Sequence, residues 1–119
     1  MNQQQFVFPA TKRDTLNSIV LFHLSSDHKG RARGIKAELL ATKTGIHERT
    51  LRTAISKLRE EGVPVVGTPE TGYYIAQTAD ELEECCAFLR SRAMHSLAIE
   101  ARLRKVPLPA LLGQLRLNT

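Results

Sequence analysis

The 119 residues carry 17 Lys and Arg against 12 Asp and Glu, a formal charge of +5, within an ordinary soluble composition of 42% hydrophobic and 24% charged residues. One domain of the usual size fills that length, with little left for a separate catalytic domain. No apolar run approaches the ~18 residues of a membrane span, and Met1-Asn-Gln-Gln-Gln is unlike a signal peptide, so a cytoplasmic protein with no membrane contact is expected.

Residues 1–10 read as a polar arm carrying a short apolar patch, Phe6-Val-Phe-Pro9. Thr11 followed by Asp14 has the spacing of a capping box with Asp in place of Glu. It predicts a first helix with Leu16, Ile19, Val20 and Leu24 along one side and Phe22 widening that side. From Ser25 to Gly34 the chain is polar, with two glycines and the cations Lys29, Arg31 and Arg33, the last two suited to a phosphate beside the start of the next helix. Gly34 to Thr44 predicts a shorter helix, apolar at Ile35, Leu39 and Leu40 and small at Ala37 and Ala41, followed by a turn at Gly45.

From Gly45 to Gly62 the spacing predicts one amphipathic helix with Leu51, Ala54, Ile55 and Leu58 as its inner stripe. At about 100° per residue Arg49, Thr53 and Ser56 point directly away from that stripe, with Arg52 on one flank and Thr50 and Lys57 on the other. Guanidinium forks match guanine O6 and N7, and hydroxyls and cations find phosphate oxygens, so this outer face has the chemistry of a major-groove reader. Val63-Pro-Val-Val-Gly-Thr-Pro-Glu-Thr-Gly-Tyr-Tyr-Ile then gives two short β-prone runs about a Pro/Gly turn, a hairpin in which one face of the second strand should cover the core.

Helix, turn, helix and hairpin in this order make a winged helix-turn-helix. The run from Gly45 to Ile75, with Gly-Ile-x-x-Arg-Thr-Leu-Arg, Ile-x-x-Leu-Arg-x-x-Gly, Pro-Val, Gly-Thr-Pro and Gly-Tyr-Tyr-Ile, resembles the winged-helix domain of the biotin-repressor type. That resemblance implies a winged domain over residues 11–76 that binds double-stranded DNA, in a stand-alone bacterial or phage-like protein. Wings of the family often carry a cation at the tip, whereas Glu70 stands in that region here.

Charge distribution agrees with this reading. Between His28 and Arg59 nine basic residues face only Glu38 and Glu48, while seven acids and no base lie between Glu60 and Glu84. A basic block on the helix-turn-helix is what a phosphate backbone requires. The expected DNA-binding residues are Arg31, Arg33, Lys36, Lys43, His47, Arg49, Thr50, Arg52, Thr53 and Lys57.

Thr78 and Glu81 have the spacing of a second capping box, and the acids that follow suit a helix N-terminus. With no breaker before Pro107, the helix is expected across residues 77–106 and, at 1.5 Å per residue, to run roughly 40 Å. Leu82, Cys86, Leu89, Ala93 and Leu97 form a seam on it, with Met94, Ile99 and Leu103 adding apolar surface. A second copy packed on the seam would bring two recognition helices to one duplex, so a homodimer is expected. The alternative is a bent helix folding back on its own domain.

Residues 107–119 form an apolar tail whose Leu108, Leu111, Leu112, Leu115 and Leu117 call for burial, most simply in a short packed helix. Gln114-Leu-Arg-Leu-Asn118 also resembles the bacterial sliding-clamp-binding pentapeptide at three of five positions, without its aromatic anchor. That resemblance implies a protein partner for the tail.

The sequence therefore predicts a mostly α protein with a small β-hairpin (α+β), a winged helix-turn-helix followed by a long C-terminal helix. Its expected role is sequence-specific binding of double-stranded DNA as a small dimeric transcriptional regulator. The alternatives are a winged-helix protein-interaction module and a phage-type replication accessory protein. No enzyme and no cofactor is expected. No Ser/His/acid order, paired carboxylate or phosphate-cradling glycine loop stands out, the four histidines lack ligand spacing, and adjacent Cys85 and Cys86 suit neither a mutual disulfide nor one metal.

Overall fold

The computed structural model describes residues 11–116, so the Phe6 to Pro9 patch and Leu117 lie outside the described residues. In chain order they form α1 (Lys12–Asp27), a single 3-10 turn (Arg31–Arg33), α2 (Ala37–Thr44), α3 (Glu48–Glu60), β1 (Val65–Thr68), β2 (Gly72–Ile75), α4 (Ala79–Arg104) and α5 (Leu108–Gln114). Two compact units divide them, the first running to Leu82 and the second from Glu83 onward. The fold is α+β, a winged-helix arrangement with a long helix after it.

The first helix starts as its sequence requires. Asp14 N donates to Thr11 Oγ1 at 3.0 Å and Thr11 N donates to Asp14 Oδ2 at 3.2 Å, a reciprocal box that satisfies two amides of the first turn. Val20 and Leu24 are fully buried, but Phe22 is 68% exposed rather than widening the inner side. Two residues from either Val20 or Leu24 is about 200° around a helix, which puts Phe22 on the far surface. Asn17 takes a place on the buried side instead.

The second helix begins at Ala37, not at Gly34. Ile35 is extended and buried, and it exchanges backbone hydrogen bonds with Tyr73, Ile35 N to Tyr73 O at 2.9 Å and Tyr73 N to Ile35 O at 2.7 Å. The free edge of β2 explains this, because its buried amides and carbonyls need partners and a helical Ile35 would supply none. Leu39 is 51% exposed, and Leu40 alone of that pair enters the core. Gly45 sits at φ 70° as the left-handed C-cap of α2, so it ends that helix rather than opening the next. The third helix starts at Glu48, capped by His47.

The stripe on α3 is buried as its spacing predicts, with Leu51, Ala54, Ile55 and Leu58 at 2% exposure or less. They join Val20, Leu24, Ile35, Leu40, Ile46 and Val65 in one core, with half-buried Tyr73 and Ile75 packed against it. Each large side chain contributes on the order of 1.5–3 kcal/mol by leaving water. In the antiparallel hairpin Val66 lies opposite Tyr74, and both are buried, so the strands are covered on both faces. Gly72 turns into β2 at φ 75°, and a Cβ there would stand 2.3 Å from the Ile35 carbonyl carbon. Only glycine lets the wing strand lie this close to the segment before α2.

At the start of α4, Glu81 N donates to Thr78 Oγ1 at 3.1 Å, half of the expected box. The Glu81 carboxylate reaches further, accepting from Gln77 N at 2.8 Å and from Arg31 N at 3.0 Å. Within the second unit α4 ends at Arg104 with Lys105 at φ 58°, ahead of the prolines expected to stop it. Pro107 instead caps α5, the short helix expected of the tail, in which Leu111 is buried and Leu108 and Leu112 are half-buried. Leu115, expected to be covered, is 44% exposed.

Candidate nucleic-acid interface

Burying Leu51, Ala54, Ile55 and Leu58 fixes the rotation of α3, and that rotation leaves Arg49, Thr50, Arg52, Thr53, Ser56 and Lys57 exposed on its other side. His47 Nδ1 accepts from Arg49 N at 3.2 Å, so this histidine caps the helix end that carries Arg49. The exposed Thr53 hydroxyl donates to Arg49 O at 3.3 Å, which leaves its oxygen able to accept. Arg52 lies 3.6 Å from Glu48 and Lys57 lies 3.8 Å from Glu60, both as exposed pairs. Such pairs contribute at most about 1 kcal/mol in water and yield readily to a phosphate.

Clefts flank α3 on both sides. One, of about 450 Å³, is lined by Arg49, Thr50, Thr53 and Ala54 of α3 and by Lys12, Arg13, Leu16 and Asn17 of α1. The other, of about 340 Å³, lies between Arg52, the start of α2 and the wing residues Gly67 to Pro69 and Gly72. Lys36 lines the second cleft, and its Nζ donates to Pro69 O at the wing turn. A cation thus reaches the Pro69 carbonyl at the wing turn, supplied from the start of α2 instead of from the wing.

Arg31, Arg33, Lys43, His47 and Lys57 line neither of these clefts. Arg31 and Arg33 are exposed on the 3-10 turn, and Lys43 is exposed in the last turn of α2. The backbone of Arg31 is fastened by Glu81, whose carboxyl is held below the ordinary value by the Gln77 and Arg31 amides and then by the Arg31 charge. Arg59, part of the basic block, serves the fold, its Nε donating to Val65 O at 2.8 Å.

Sequence reasoning missed Lys12, Arg13 and Asn17. A signal existed for the two cations, since positive charge in a first helical turn opposes the helix dipole and asks for another reason to be there. Of the expected dimer seam, Leu82 at the end of the first unit is 47% exposed. In the second unit Cys86, Leu89 and Ala93 are exposed and Leu97 is half-buried. Among the described residues no group of three or more His, Cys, Asp or Glu is placed to hold a metal ion, and no helix is long and apolar enough to cross a membrane.

No curated protein and no solved structure matches the chain. A family model described as an HTH domain matches residues 29–74, from the strand-like segment before α2 through α2, α3 and the hairpin. The chain therefore carries a helix-turn-helix DNA-binding domain in residues 29–74.

Proposed function

We propose that the protein is a sequence-specific transcriptional regulator of the biotin-repressor type, working in the cytoplasm of a bacterial or phage-infected cell, that lays α3 in the major groove of double-stranded DNA. The observation carrying this reading is the opposition of two faces on α3, one buried at Leu51, Ala54, Ile55 and Leu58, the other exposing Arg49, Thr50, Arg52, Thr53 and Lys57. Arg49 and Thr50, near the N-terminal end, are placed for base edges, and Arg52 and Lys57 for phosphates on the two flanks. Arg31, Arg33, Lys36 and Lys43 add charge around this face and raise affinity for any sequence.

The active form in this proposal is a homodimer made through α4. Exposed Leu82, Cys86, Leu89 and Ala93 support it, because a soluble monomer seldom leaves an apolar row of this kind uncovered. Selection of bound duplexes from a random pool tests binding, sequence preference and half-site symmetry together. Enrichment of a two-fold symmetric site is expected, and a pool that stays random would refute the reading.

A further inference from the structure

Lys12 and Arg13 occupy the first turn of α1, where the dipole favours acids, so their charges do not serve that helix. They face Arg49 and Thr50 across the 450 Å³ cleft between α1 and α3. Asn17 lines the same cleft although it is only 7% exposed. Among the described residues its amide has no hydrogen-bond partner in the protein, and no buried polar side-chain atom is sealed off without one. The Asn17 amide therefore opens to the cleft, which Lys12, Arg13 and Arg49 also line. An oxyanion entering the cleft would meet that amide as a donor beside three cationic side chains, and hydrogen bonds to a charged acceptor are the stronger kind.

We propose that this cleft seats a phosphate of the duplex backbone, the Asn17 amide donating to it from below while Lys12, Arg13 and Arg49 neutralise its charge. The inference rests on the DNA-binding reading. Leu16 and Ala54 contribute apolar wall to the same cleft. The nearby carboxylate of Asp14 is already taken by Thr11 N, and hydrogen bonds from the Thr11 amide and hydroxyl hold its carboxyl below the ordinary value. The second cleft, with Arg52 and Lys36, lies on the other flank of α3. A helix in the major groove has a phosphate strand on each side, and in this proposal each cleft takes one of them.

The Asn17 side-chain amide can be followed by nitrogen–proton NMR in the full-length protein, titrated separately with a selected duplex and with inorganic phosphate at constant ionic strength. Both should move it. Asn17→Asp, which keeps the shape and turns the donor into an anion, should weaken duplex binding by about tenfold or more, the scale of one lost charge-assisted bond. Asn17→Leu, which fills the same space with an apolar group, serves as the folded control and should weaken binding too. If the duplex shifts α3 resonances but leaves the Asn17 amide unmoved, the seat is refuted and the DNA-binding reading stands. If phosphate moves the amide while no duplex binds, the oxyanion seat is upheld and the duplex reading falls.

Discussion

Arg49 and Lys57 are both exposed cations on α3, yet they stand at opposite ends of it and should fail differently. Arg49→Ala should lose about 1–3 kcal/mol on the preferred duplex and relax selectivity at one base position, whereas Lys57→Ala should weaken all duplexes alike and lower the salt slope by about one. Binding titrations on preferred and scrambled duplexes separate the two, and an Arg49→Ala protein with unchanged preference would remove Arg49 from the base edges. Gly72→Ala should destabilise the fold by more than the roughly 1–2 kcal/mol of a left-handed alanine, because its Cβ would also press on the Ile35 backbone at 2.3 Å. A urea midpoint equal to that of the parent would contradict that close approach. Glu81 predicts a pH dependence. Its folded carboxyl is held low, so its contribution is present above the ordinary glutamate value and lost as pH falls through the lower, folded one. Glu81→Gln should flatten the loss of thermal stability in acid, and a variant that follows the parent curve would deny that Glu81 ties Arg31 to the start of α4. The partners of Glu81 and Lys36 were not legible in the sequence. Arg31 is 50 residues from Glu81 and Pro69 is 33 from Lys36, and no local pattern encodes such pairings. Asn17 was missed because a polar residue on a helix reads as outward.

Among the elements, those whose signals are local came through intact. The Thr11 cap, the inner stripe of α3 and the hairpin about Pro69 and Glu70 each arise from residues within a few positions of one another. Errors fell where another element decides. Ile35 has helix-like neighbours, but β2 claims its backbone, and Leu39 has helical spacing but nothing in the core for it to meet. Removing a stripe residue should therefore cost the most: Leu51→Ala, at a fully buried position, should destabilise by about 2–5 kcal/mol in denaturant unfolding. For α4 the spacing gave a seam, and a seam becomes an interface only if a partner covers it. Sedimentation of the full-length protein at tens of micromolar should show a dimer, and Leu89→Glu should shift it to monomer by placing a charge on the row. A parent protein that stays monomeric under those conditions would end the dimer proposal and the expectation of a two-fold site.

At the scale of the molecule, charge and fold point to the same surface. The nine basic residues between His28 and Arg59 run from Lys29 through the 3-10 turn, the Lys36 cap of α2, α2 and α3, and the acids that follow lie at the end of α3, in the hairpin turn and at the start of α4. That separation was visible in the sequence. The two clefts beside α3 were not, since they come from α1 and the wing meeting α3 in space. The measurement that tests the central claim most directly is the affinity of the full-length protein for its selected duplex across a salt series. With cations on both flanks of α3 contacting phosphates, log K should fall linearly with log salt, by about 0.9 for each phosphate contacted. Affinity that does not change with salt, or no binding to any duplex at low salt, would contradict the account.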